Sequence, residues 1–457
     1  MSGKLLAGPM LLRRGIPDRL LRLSASGLAK ASGGSLAVLV AGAGLSYVAQ
    51  VVTARLIGPA SFGVYAYVLA WTTLLAYAAT LGFRVSLLRL LPTYRATGNW
   101  SHARGLARFS AWATAVSACC VTAAGLALVP LLLGTTSEQA RTFLIGLCVV
   151  PLVALQLILA TSVRAWGGVV EALVPERILR DGVAVAVLVL VLAAGWMAPG
   201  APAAAVALLA GGACALMASW LMLRRRRPGE LAAAAPTLTP GAWLRPTLPL
   251  TVLMLADVLM GRAGTMVLGS IGAMHEAGIF TVAYSLSLLA ALPRMAIASA
   301  FAPTVADLHA RGDRPRLQAL CTRAARLSLA ATLLVALPLI AAAGPLLSLF
   351  GPAFAPGAPA VVILVLAQLF AAACGPQQHL LTMTGHEVAA ASSLAAAVAA
   401  AFLFALLLVG PLGLPGVALA SAGSLVGWNL FILVFAWRRL GLRPGLALPM
   451  RKAEVKR

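Results

Sequence analysis

Charge is scarce in this chain, and acid is scarcer still. Only 10% of the 457 residues are charged, and 12 acids stand against 35 lysines and arginines. With 61% hydrophobic residues and a mean hydropathy of +0.96, that balance excludes a soluble globular domain. Alternating polarity is missing too. The apolar runs are continuous, so helices rather than an outer-membrane barrel are the spanning structure. Cysteine is sparse: the six (119, 120, 148, 214, 321 and 374) lie in or beside apolar runs, without paired extracytoplasmic spacing or metal-ligand spacing. Neither a disulfide nor a metal site is expected, and no cofactor is implied. A net charge of +23 invites a nucleic-acid reading, but no aromatic-interleaved soluble domain carries it. The basic residues punctuate apolar runs at intervals and read as topology signals.

What is present is a series of bilayer-length apolar runs, each near the roughly 20 residues that cross a membrane. They fall at 35–56, 64–91, 108–133, 143–163, 181–198 and 201–223, then 246–270, 278–302, 327–350, 358–384, 388–410 and 413–437. The fold class is therefore all-α: a polytopic transmembrane bundle of about 12 helices in two six-helix lobes. The first lobe is 35–223, the linker 224–245 and the second lobe 246–437, between basic tails at 1–34 and 438–457. The linker opens with four arginines, Arg224 to Arg227, then Pro228, and reads as a lipid-surface anchor. No small-residue cleavage site precedes the first span, so a retained tail lying along anionic lipid is expected.

The even-numbered connections hold the arginines and the odd-numbered ones are short and nearly uncharged. Of 35 lysines and arginines, only Arg55, Arg141 and Arg262 fall on or near the odd-numbered side. Both termini are accordingly expected in the cytoplasm. The short outer connections leave no room for the large loop of a membrane-embedded glycosyltransferase or polymerase, and the chain is not expected to be an enzyme.

The two lobes carry diverged copies of one pattern. Residues 55–108 run through a glycine turn, a long apolar stretch, a proline, a short polar loop and a basic flank. The same order returns about 211 to 215 residues later, from Leu268 and Gly269 to Arg326.

Three blocks carry a family resemblance. The first is Ala54, Arg55, Leu56, Ile57, Gly58 and Pro59 with Phe62, Gly63, Val64 and Tyr65. The second is Leu268 and Gly269 with Ala277, Gly278, Ile279 and Phe280. The third is Leu349 to Phe354 with Leu381 to His386. Over about residues 35 to 440 the chain resembles the polysaccharide-type, lipid-linked oligosaccharide flippases of the multidrug/oligosaccharidyl-lipid/polysaccharide (MOP) exporter superfamily. The resemblance implies a central cavity between the lobes that opens alternately to each side. Through it an undecaprenyl-diphosphate-linked glycan would pass outward across the bacterial inner membrane, for cell-surface polysaccharide. A polysaccharide polymerase is kept as a protein partner, and a monomer is expected. A cation-coupled multidrug antiporter of the same fold is the first alternative. A lipid II flippase is the second, although that family usually has two further helices and this chain has no room for them.

A flippase needs an anion site rather than a nucleophile, and arginine suits a diphosphate because its planar fork binds oxygens bidentately. Ionisable residues inside spans are costly and are functional candidates by default. Arg294 lies sixteen residues into the eighth span, about 24 Å by helix rise, and Arg262 sixteen into the seventh. Each either faces the cavity or serves packing and snorkelling. Arg55 and Arg84 join them as substrate-binding candidates, with interface anchoring as the ordinary role of both; Arg84 and Arg294 stand 210 residues apart, near the repeat offset. Asp257, the deepest acid, is a candidate ion-coupling residue or the partner of an arginine on another helix. Gln50, Gln156, Gln368 and Asn429 line a cavity or bond between helices. His379 reads as a packed or interfacial residue. An exporter of organic cations would need acids in its spans, and the first lobe shows none buried.

Overall fold

The computed structural model describes residues 40–442 together with Val38 and Gly445, so the 1–34 tail lies outside the described residues. Helix is the consequence of composition: in hydrocarbon every backbone group must bond within its own segment. Among the described residues no strand forms. In the first lobe α1 is Val40–Ile57, α2 Pro59–Ala79, α3 Phe83–Ala96, α4 Trp100–Leu133, α5 Glu138–Ala165, α6 Val169–Val174, α7 Arg180–Ala193 and α8 Ala201–Arg226. The short α9, Gly229–Ala233, lies in the linker. The second lobe holds α10 Pro240–Ser270, α11 Met274–Ala310, α12 Arg314–Ala341, α13 Ala343–Ser348, α14 Ala358–Cys374, α15 Gln377–Met383 and α16 Glu387–Phe435.

Ten segments are long and apolar enough to cross a membrane unaided. The last of them, Val388–Leu440, is 53 residues and folds back on itself at Gly413, whose φ of 57 breaks α16. Trp428 Nε1 donates to Ser393 Oγ at 3.2 Å, which holds the two arms side by side. With α6 and α7 joined through a π-helical turn at Pro175–Leu179, the crossings come to about twelve.

Three predicted spans differ from what forms. The second, 64–91, is broken into α2 and α3 at Leu81 (φ 48) and Gly82 (φ 72). A Cβ on Gly82 would lie 2.4 Å from the Thr247 carbonyl oxygen, so close approach of α10 as well as the turn requires glycine there. The tenth, 358–384, is broken at Gly375 (φ 80) and Pro376 into α14 and α15. The fifth starts at Val169 rather than 181, because the π turn carries the helix past Pro175.

Within the first lobe α5 packs on α4 and α8, and α8 on α7; in the second, α10 and α14 pack on α16, and α11 on α12 and α14. Two ends of the bundle are distinguishable. The turn end gathers the tight connections, among them Gly58, Gly134, Gly272 and Gly351, all at positive φ. The linker end gathers the basic loops. The linker itself is docked rather than free. Arg104 donates to Ala232 O at 2.7 Å and Ala234 O at 2.5 Å, and Thr237 N donates to Ser101 O at 3.1 Å. Leu231 and Trp243 are buried against α3 and α4, and Trp243 Nε1 donates to Tyr94 Oη at 3.2 Å.

Candidate functional site

The lobes meet chiefly through α2, which packs on α10 and α11. Its first half makes the contact, at positions without side chains. A Cβ on Gly63 would fall 1.6 Å from the Met274 carbonyl oxygen, and one on Gly278 would lie 3.1 to 3.2 Å from the backbone of Gly63 and Pro59. Aromatic rings surround this crossing. Tyr47 meets Phe350 edge-on at 5.3 Å, Phe62 meets Phe354 at 5.9 Å, and Tyr47 Oη donates to Leu346 O at 3.2 Å. The turn end is sealed between the lobes. Toward the linker end α10 meets the first lobe beside Gly82 on α3 and through Trp243, which packs on α3 and α4.

Below that seal, side chains from both lobes come within electrostatic range of one another. Arg262 on α10 neighbours Tyr284 on α11, Arg180 on α7, and Tyr65 and Tyr77 on α2. Tyr284 in turn neighbours Arg262, Asp257 and Arg294. Arg294 neighbours Tyr284 and Cys374, and its buried Nε has no hydrogen-bond partner among the described residues. Asp257 is exposed on α10 and faces Arg84 from the other lobe. The Arg84 guanidinium lies 4.7 Å from the Tyr77 ring centroid, and its Nε too is buried without a partner. The geometry joins Arg84, Asp257, Arg262 and Arg294 in one interlobe group.

Arg55 stands apart. It is exposed at the turn end, where its Nε donates to Leu349 O at 2.6 Å and ties α1 to the second lobe. Gln50 bonds back to Ser46 O at 3.3 Å, and Asn429 to Leu425 O at 2.8 Å, each within its own helix. Gln156 and Gln368 are buried, each with one amide atom unpartnered. His379, on α15, neighbours Arg294. In the linker run, Arg224 sits 4.6 Å from the Trp220 ring centroid and Arg226 pairs with Glu171. Among the described residues no group of three metal-ligating side chains gathers.

Sequence reasoning missed Arg180 and Asp181. Arg180 Nε donates to Asp181 Oδ1 at 2.8 Å, and Ser46 Oγ on α1 donates to the other carboxylate oxygen of Asp181. They sit about 16 to 18 Å inside the crossing, eleven and twelve residues from Val169, because the π turn extends the helix below them. The tyrosines were a usable signal. The chain has six, and three of them, Tyr65, Tyr77 and Tyr284, belong to this group.

The arrangement has a definite electrostatic character. Four arginines (84, 180, 262 and 294) face two aspartates (181 and 257), which leaves a surplus of positive charge. Among the described residues Arg262 and Arg294 form no ion pair. Cations of this kind, held in low dielectric beside tyrosine hydroxyls, suit an anion with several acceptor oxygens.

A family model described as "Polysaccharide biosynthesis protein" matches residues 29–309, more than half of the chain. Among solved structures, the chain is similar to an inward-facing multidrug resistance MATE family transporter of the MOP superfamily. The TM-score is 0.74 at 16% identity, covering 87% of this chain and 94% of that one. It is also similar to the lipid II flippase MurJ in an inward closed conformation, with TM-score 0.65, 14% identity, and 87% and 86% coverage. A third is a MOP superfamily transporter from Pyrococcus furiosus Vc1 (DSM3638), whose binding pocket is described as reversed in polarity, suggesting a different function. There the TM-score is 0.62 at 15% identity, with 90% and 95% coverage. At such identities the likeness is one of fold. Among curated proteins none matches.

Proposed function

The chain belongs to the polysaccharide biosynthesis protein family, and on that premise we propose that it flips a polyprenyl-diphosphate-linked oligosaccharide from the cytoplasmic to the outer leaflet of the bacterial inner membrane. The carrying observation is the gathering of Arg84, Arg180, Arg262 and Arg294 between the lobes, of which Arg262 and Arg294 form no ion pair among the described residues. A diphosphate diester carries about two negative charges, which guanidiniums between the lobes match in kind. The turn end, sealed at Gly63 and Gly278, is the outer gate. The linker end, with Arg95, Arg104, Arg108 and Arg224 to Arg227, is the cytoplasmic side by its charge. Glycan and diphosphate enter between the lobes from that side while the prenyl tail stays in lipid. Closure behind the head group and opening of the outer gate complete the exchange. The seal and the cation group need no chemistry on the substrate, so no bond is made or broken.

Arg262→Gln and Arg294→Gln each remove one charge without changing the apolar packing greatly. Each is expected to lower flux of the lipid-linked glycan at least tenfold at normal protein abundance, the cost of roughly one charge-assisted contact. Undiminished flux in both variants would contradict the assignment.

A further inference from the structure

Gln156 and Gln368 stand 212 residues apart, at the offset that separates the two copies of the repeat, and lie on the corresponding helices α5 and α14 of the two lobes. Both are at most 5% exposed. Each keeps one amide atom, Nε2 in Gln156 and Oε1 in Gln368, without a hydrogen bond among the described residues. Each also shares its level and face with a buried hydroxyl in the same condition. In the first lobe α5 and α8 run parallel, since the Glu138 carboxylate at the start of α5 accepts from Ala201 N at the start of α8 at 2.8 Å. A Cβ on Gly212 would lie 3.9 Å from Val149 Cγ1, and two turns further along both helices come Ser219 and Gln156. In the second lobe α12 packs antiparallel on α14, and a Cβ on Gly375 would lie 3.1 Å from Ala325 Cβ. Two turns on along α12 and two back along α14 are Thr332 and Gln368. Ser328 precedes Thr332 by one turn. The hydroxyls of Ser219, Ser328 and Thr332 are likewise buried, with no hydrogen bond among the described residues.

We propose that each lobe binds an internal water molecule at this glutamine, bridging Gln156 to Ser219 in the first lobe and Gln368 to Thr332 and Ser328 in the second. A polar group buried without a partner is costly, and an internal water makes about two to four bonds to such groups. The free amide atom is a donor in one lobe and an acceptor in the other. Water serves both, whereas a metal cation has nothing to accept from an amide N–H. The two bridges tie α5 to α8 and α14 to α12, so they stiffen each lobe internally without joining the two. The inference is independent of the transport reading.

The test is a crystal structure of the full chain grown from a lipidic phase, at a resolution that shows ordered water, with thermal unfolding of variants in detergent. The expected result is one peak about 2.7–3.2 Å from the Gln368 amide and the Thr332 hydroxyl, and another between Gln156 and Ser219. Gln368→Leu, close to glutamine in volume, is expected to lose the second-lobe peak and to lower the Tm by about 2–4 °C. Thr332→Val is expected to cost less in the Gln368→Leu background than in the parent, since the two side chains share one bridge. Direct glutamine–hydroxyl bonds with no peak between them overturn the inference, as do strictly additive losses. A peak ringed by oxygens at about 2.4 Å, with a Tm that rises in sodium chloride over choline chloride, assigns a cation and overturns it as well.

Discussion

Asp257 and Arg84 lie within electrostatic range of one another from different lobes, α10 against α3. Where two opposite charges interact, removing one leaves the other uncompensated, so the two single losses need not add. Asp257→Asn and Arg84→Gln are each expected to cut transport several-fold. The double variant should recover part of the loss, with a coupling of about 0.5 to 3 kcal/mol in a double-mutant cycle. Strict additivity in transport and thermal stability would show that the two do not interact. At this scale the sequence was partly legible. Depth along a span singled out Arg262, Arg294 and Asp257, since an ionisable residue far from either interface needs a reason. Arg55 has an equally readable position but a different use, because a guanidinium at a helix end reaches whatever carbonyl lies beside it, here Leu349 O. Arg180 and Asp181 were hidden. The fifth span was read as beginning at 181, which put both at its edge, and only the π turn at Pro175–Leu179 joins the helix below them to α7.

At the scale of elements, the breaks matter as much as the helices. Apolar run length located each crossing, and Gly410 with Pro411 marked the reversal inside α16. It did not locate the interruptions at Gly82 and Gly375, because each depends on a neighbour: the Thr247 carbonyl crowds one and Ala325 the other. The linker shows the same limit. Its alanine, proline and threonine composition reads as a free connection, yet Arg104 and Ser101 capture it through backbone groups that no side-chain pattern displays. The crossing of α2 over α11 can be tested directly. Gly63→Ala puts a methyl group 1.6 Å from the Met274 carbonyl oxygen, so the helices must part on the order of 1–2 Å or the crossing fails. Spin labels at positions 55 and 349, exposed on opposite lobes, are expected to report a longer distance in this variant. Gly44→Ala, where nothing stands within 4 Å, is the control and should leave it unchanged. Equal distances in both would remove the glycine crossing from the seal.

For the whole molecule, two lobes of like architecture are held together at one end where α2 crosses α10 and α11, with arginines of both lobes between them. Sequence repetition suggested two lobes, with diverged copies beginning in corresponding helices, and charge distribution suggested two unlike ends. Which faces converge between the lobes was not readable, because that depends on the rotation of each helix about its axis, set by small-residue contacts such as Gly63 with Gly278 and Gly269 with Tyr67. From that convergence comes the central claim, that a basic interlobe site carries an anionic glycolipid outward. The most direct measurement is the leaflet distribution of polyprenyl-linked glycan in host cells depleted of this protein. Accumulation of a lipid-linked repeat unit facing the cytoplasm, restored by the parent chain and not by Arg262→Gln, is the predicted result. An unchanged distribution, with depleted cells instead becoming sensitive to organic cations, would contradict it and assign the fold to drug export.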